Sequence, residues 1–244
     1  MSSLRRRLVP TAIAVLAIGL ITAGCTATPG SSAPTSGTGS GGAPVERMPD
    51  DVDAVWLDGG RMIAVVTWGS STPTCRPVLS EVQADGQALT VTLTDLEEAA
   101  DGCDSDLTPR AIALGLPEGV DPEQDIELTV VHGDLREQVD LDAIEGAPQG
   151  GPLPDPQVSA TWLDDDAIAL LTWGSSSCPP DLMEVEMTAD GATATFATTD
   201  RVCTMDFAPR VTIVTLPEAR DDDAPFTLTL SGDNLDGTVQ VAGD

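Results

Sequence analysis

Two short constellations occur twice in this chain and hold most of its chemically versatile side chains. Trp68-Gly69-Ser70-Ser71 runs toward Cys75, and Trp173-Gly174-Ser175-Ser176 runs toward Cys178. Further along, Cys103-x-x-Asp106-x-x-Pro109-Arg110 is matched by Cys203-x-x-Asp206-x-x-Pro209-Arg210. A serine behind a glycine invites nucleophilic catalysis, which needs a general base and an oxyanion hole. His132 is the only histidine and lies in one copy alone, lysine is absent, and no Gly-x-Ser-x-Gly elbow is present. Serine catalysis is therefore not expected. The glycines instead suit tight turns whose serines bond loop backbone. Trp68 and Trp173 end apolar stretches and are expected to pack, with a stacking surface beside the hydroxyls as the binding alternative. Arg110 and Arg210 are expected to meet carboxylates in structural ion pairs. Asp106 and Asp206 suit that pairing, or acceptance of loop N–H bonds. The functional alternative is a guanidinium fork presented to a ligand carboxylate or phosphate. The candidate binding residues are thus Trp68, Ser70, Ser71, Asp106 and Arg110, with Trp173, Ser175, Ser176, Asp206 and Arg210.

The remaining oxygen-rich segments are weaker signals. Acidic runs stand at Asp50-Asp51-Val52-Asp53, Asp164-Asp165-Asp166 and Asp221-Asp222-Asp223. None follows the Asp-x-Asp-x-Asp-Gly spacing that ends in a distal glutamate, so no cofactor is expected and calcium is at most weakly held. Carboxylate-pair glycosidase chemistry has no pointer in the sequence. The 244 residues carry 40 acidic side chains against 11 basic ones, all arginine, for a net charge of −29. Grip on a phosphate backbone comes from cations displacing counterions, so nucleic acid is excluded as a partner.

The elements that must position these residues are themselves duplicated. AVWLDGGRMIAVVTWGSS from Ala54 is repeated as ATWLDDDAIALLTWGSS from Ala160, and Leu116-Pro117-Glu118 as Leu216-Pro217-Glu218. Leu89, Val91 and Leu93 alternate with threonines, as do Phe226, Leu228 and Leu230, the period of half-buried strands. Arg61–Trp68 and Ala167–Trp173 are nearly continuous apolar runs, as expected of a central strand covered on both faces. Asp85-Gly86 and Asp190-Gly191 mark hairpin turns. About six or seven short strands per copy predict an all-β protein of two tandem immunoglobulin-like β-sandwich domains. The alternative is one larger barrel or sandwich built from both copies. Repeat 1 is placed at 51–145, a Pro/Gly-rich linker at 146–157, and repeat 2 at 158–244. Each copy holds two cysteines. Four cysteines allow three pairings, and duplication selects bridges within each copy, Cys75 with Cys103 and Cys178 with Cys203. Each such bridge closes a loop of about 25–30 residues and contributes roughly 3–4 kcal/mol in the loop-entropy description.

The N-terminus supplies an address. Arg5, Arg6 and Arg7 precede a short apolar stretch, Thr11 to Thr22, that is built like a secretory signal and is short for a membrane span. It runs through Ala23-Gly24 into Cys25, which resembles the lipobox of bacterial lipoproteins. That resemblance implies cleavage after residue 24 and a diacylglycerol on Cys25, an anchor of two chains where one would hold weakly. Residues 25–50 then form the lipidated cysteine and a tether, of which 26–44 contain only Thr, Ala, Pro, Gly and Ser. A coil of this kind spans about 20–25 Å. The lipobox and tether, with GSSSCPP followed by CTMDFAPR, resemble secreted lipoproteins of high-GC Gram-positive bacteria, a family without assigned activity. Repeat 2 carries that pattern more closely than repeat 1. A haloarchaeal origin would explain the acidity as well. The expected protein is a lipid-anchored binding or scaffolding module, without catalytic activity, on the extracytoplasmic face of the cell membrane. It meets the membrane through its lipid alone and an envelope protein or wall polymer through its domains. The alternatives are a carboxylate-based hydrolase or its accessory, and a calcium-dependent adhesion module.

Overall fold

A computed structural model describes residues 51–96, 102–147, 155–198, 200–222 and 224–243. The signal segment, Cys25, the tether and most of the linker lie outside these residues, as do Asp50 and Asp223. Repeat 1 contributes seven strands: β1 (Val52–Leu57), β2 (Met62–Gly69), β3 (Val78–Asp85), β4 (Ala88–Thr94), β5 (Thr108–Gly115), β6 (Ile126–His132) and β7 (Leu135–Leu141). Repeat 2 contributes β8 (Ser159–Asp164), β9 (Ala167–Gly174), β10 (Leu182–Met187), β11 (Gly191–Phe196), β12 (Ala208–Thr215), β13 (Phe226–Ser231) and β14 (Gly237–Ala242). The chain is all-β, and the expected hairpin forms at Asp85↔Ala88, where Gly86 takes a φ of 62°.

Within repeat 1 the strands form two sheets, β1-β2-β5 and β3-β4-β6-β7. Repeat 2 repeats both orders, but β14 pairs with β8 in parallel and joins them into one seven-stranded sheet. The β4–β6 and β11–β13 pairs are also parallel, whereas immunoglobulin sheets are antiparallel. Alternation along the strands then builds each core. Leu89, Val91 and Leu93 of β4 meet Ile63 and Val65 of β2 and Leu128 and Val130 of β6 inside repeat 1. Ile168 and Leu170 of β9 meet Ala192, Ala194, Phe196 and Leu228 inside repeat 2.

The other face of β2 and β9 builds a third core. Met62 and Ala64 of β2, with Val55 and Leu57 of β1, pack against Ala169 and Leu171 of β9. Ala113 of β5 and Val211 and Ile213 of β12 border the same cluster. The β1-β2-β5 and β8-β9-β12 layers therefore face each other, and the continuous apolar runs are explained by burial on both sides. Ala64 and Ala169 are fully buried there, small side chains that let the two layers approach. The described residues of both repeats belong to one compact unit. Each disulfide lies within its own repeat, Cys75–Cys103 and Cys178–Cys203, closing sequence separations of 28 and 25.

Candidate functional site

Both constellations come together at the end of the strand pair that carries them. In repeat 1, β2 runs antiparallel to β5 with Trp68↔Pro109 and Thr67↔Arg110 in register. In repeat 2, β9 and β12 place Trp173↔Pro209 and Thr172↔Arg210 likewise. The serine loop leaving one strand is thereby set beside the Cys-x-x-Asp loop entering the other, and the disulfide ties the two loops.

The arginines do not form the expected ion pairs among the described residues. Arg110 donates from Nη1 to the Cys75 carbonyl at 2.9 Å and from Nη2 to the Trp68 carbonyl at 3.0 Å. Arg210 repeats this with Cys178 and Trp173, at 2.8 and 3.2 Å. The carboxylates take the other role considered for them. Asp106 accepts the Ser71 amide at 3.0 Å, and Asp206 accepts the Ser176 amide at 3.2 Å. The physical reason is that a planar guanidinium can bridge two loop carbonyls at once. A carboxylate likewise satisfies the loop amides.

Glycine is required where the guanidinium crosses the loop. A Cβ on Gly69 would stand 2.5 Å from Cζ of Arg110, and one on Gly174 would stand 2.7 Å from Cζ of Arg210. Each arginine thus lies flat over glycine backbone and reaches the carbonyls on either side. Burial lowers the pKa of both arginines from the ordinary guanidinium value. The aspartates shift downward. Hydrogen bonding from Ser71, first through its side chain and then through its amide, lowers Asp106. Side-chain bonds from Ser176 and then Thr204 lower Asp206 to about 2.

The hydroxyls are engaged as well. Ser70 Oγ accepts the Thr72 amide at 3.1 Å, and Thr108 donates to the Gly69 carbonyl at 3.0 Å. Ser175 and Thr204 share a hydrogen bond of 2.7 Å, and Ser177 accepts the Thr204 amide at 2.9 Å. His132 Nε2 lies 2.9 Å from Asp95 Oδ1 rather than beside a loop serine. The arrangement organises two loops.

The tryptophans divide by position rather than by motif. Trp56 and Trp162 are buried in the repeat cores. Trp68 and Trp173 are only half-buried at the strand ends. Trp173 donates to the Gln157 carbonyl at 3.0 Å and stacks on Phe207, with ring centroids 5.8 Å apart. Phe207 is exposed, as are Val202 and Met205 on the same loop. Of the acidic runs, Asp164, Asp165 and Asp166 hold carboxylates within 4.8 Å of one another. Burial, followed by the neighbouring Asp164 and Asp166, raises the pKa of Asp165.

One residue absent from the sequence-level candidates joins the site. Arg76, next to the disulfide, lines a cleft of about 310 Å³ between the repeats together with Ser71, Thr108 and Arg110. Pro179 and Pro180 form the opposite rim. The available signal was a break in the duplication: Arg76 follows Cys75, where Pro179 follows Cys178. No family model, no curated protein and no solved structure matches the chain.

Proposed function

We propose that this protein is a lipid-anchored binding or scaffolding module on the extracytoplasmic face of the cell membrane, without catalytic activity. Support for its place comes from the signal segment, the Cys25 lipobox and the uncharged tether. Its resemblance to secreted lipoproteins of high-GC Gram-positive bacteria agrees with that place. Support for binding over chemistry comes chiefly from one observation. The serine hydroxyls, Asp106 and Asp206, and the arginine Nη groups of both loops bond to each other or to backbone. Such engagement makes a rigid surface, as recognition favours, rather than an activated nucleophile.

The immunoglobulin-like reading of each repeat draws support from its seven strands and the antiparallel order β1-β2-β5. The parallel β4–β6 pair makes it a variant of that plan. The expected partner is an envelope protein or wall polymer. The acidic domains are repelled by anionic lipid, so the membrane is met through the lipid alone.

The test is a pair of measurements on the full chain. Wall-polymer sedimentation and envelope-protein pull-down are expected to show saturable binding. Assays with glycan and peptide substrates are expected to show no turnover. Turnover abolished by replacing one Asp or Glu would overturn the proposal in favour of a carboxylate hydrolase.

A further inference from the structure

The cleft between the repeats holds a local excess of positive charge in an acidic molecule. Its lining includes two guanidiniums, Arg76 and Arg110, and one carboxylate residue, Asp181. Across the whole chain, acids outnumber bases 40 to 11. Burial is the main influence lowering the pKa of Arg110; Asp95 opposes it, and Arg76 adds to it. Arg76 and Arg110 thus repel each other. Arg76 is exposed and forms no ion pair among the described residues.

The two arginines are not equivalent. Arg110 directs both Nη groups at loop carbonyls and serves the loop. Arg76 leaves its fork available, yet its backbone stands between two fixed points. Cys75 before it is buried and disulfide-bonded, and Pro77 after it is buried. A fixed root under a free charged head is the preorganisation that recognition favours. The repeat-2 side brings the apolar Pro179, Pro180, Leu182 and Val211 to the cleft, together with the Asp181 carboxylate and two threonines. The counterpart of Arg76 on that side is Pro179, so the duplication has left an arginine on one side of the cleft and a proline pair on the other.

We infer that the inter-repeat cleft binds an organic monocarboxylate, with its carboxylate on Arg76 and its apolar body against the Pro179-Pro180 wall. This deepens, and rests on, the binding-module reading. A planar guanidinium matches a carboxylate through two parallel N–H···O bonds. The cleft volume stands at the small end of ligand sites. A single available fork in a strongly negative molecule favours one negative charge over two, because every further charge meets the field of the whole chain. That selects carboxylate over phosphate dianion.

The experiment is a titration of the full chain, in detergent, with hexanoate, acetate and inorganic phosphate, followed by NMR of the arginine side chains and alanine methyls. Hexanoate is expected to shift the Arg76 Nε–Hε and Ala111 methyl signals saturably and at least tenfold more tightly than acetate or phosphate. Arg76→Gln is expected to weaken hexanoate at least tenfold while leaving Tm unchanged, since the side chain is exposed. Three outcomes overturn the inference: no saturable shift, equal affinity in Arg76→Gln, or phosphate binding as tight as hexanoate. Wall-polymer or envelope-protein binding that persists through any of these would show that the broader reading survives without the cleft.

Discussion

The duplicated arginine is a residue-scale device in which one side chain holds two backbone carbonyls of a loop. Arg110 and Arg210 each bridge two carbonyls of the loop. Removing either guanidinium leaves those carbonyls to water or to nothing. Arg210→Ala is expected to lower the unfolding free energy by about 2 kcal/mol, since bonds to charged groups contribute roughly 1.5–3 kcal/mol. Gly174→Ala is expected to cost about as much, because its methyl displaces the guanidinium from above the backbone. The two changes remove the same interaction. Their double mutant should therefore fall well short of the sum, by about 1 kcal/mol or more in denaturant unfolding. Additivity would show that the glycine and arginine act independently. The Asp206 carboxylate gives a second check, by pH. Its folded pKa is depressed to about 2. Its contribution is thus present above the ordinary carboxylate range, about 3.9, and is lost as pH falls through about 2. The Ser176 amide resonance should hold its position from pH 7 to about pH 4 and move upfield with a midpoint near 2. A midpoint near 4 would show an ordinary, unengaged carboxylate.

At the scale of elements, each repeat depends on a covalent tie between its two loops. Residues Cys178 and Cys203 join the segment after β9 to the segment before β12, on either side of the β10–β11 hairpin. Replacing both with serine is expected to cost about 3 kcal/mol by freeing the unfolded loop. Thermal unfolding with and without reductant measures this, and insensitivity to reductant would contradict it. Titration of the unreduced, denatured chain is expected to find no reactive thiol among Cys75, Cys103, Cys178 and Cys203. The strand content itself was readable because alternation at β4 and β13 states which face is buried. What alternation did not state is the partner. The parallel pairing of β4 with β6, and of β14 with β8, joins segments well separated in the chain. Local sequence carries no mark of which distant edge a strand will meet.

For the whole molecule, the decisive feature is the third core, shared between the repeats. Ala64, Ala169 and Leu171 are fully buried where the two middle layers meet. A charge placed there has no partner and cannot reach water. Ala169→Asp is expected to destabilise by about 3 kcal/mol or more and to replace one cooperative melting transition with two. A single transition with unchanged Tm would mean that the repeats do not rely on each other. At the same scale, Cys25→Ser is expected to move the protein from the membrane fraction to the medium. Continued membrane association would refute the lipid anchor.

The sequence by itself determined the all-β class, the duplication and the disulfide pairing. These follow from local periodicity and from two copies constraining each other. The continuous apolar runs at β2 and β9 also announced burial on both faces. Only the tertiary structure decided what covers the second face, because an apolar stripe records its dislike of water and not the identity of its neighbour. Tertiary structure likewise decided that Arg110 and Arg210 meet carbonyls rather than carboxylates. Charge pairing can be guessed from composition, whereas the placing of two carbonyls under one guanidinium exists only once the loop is folded. Arg76 shows the same limit. It reads as one more surface arginine until the packing of two repeats sets it in a cleft with Pro179 and Pro180.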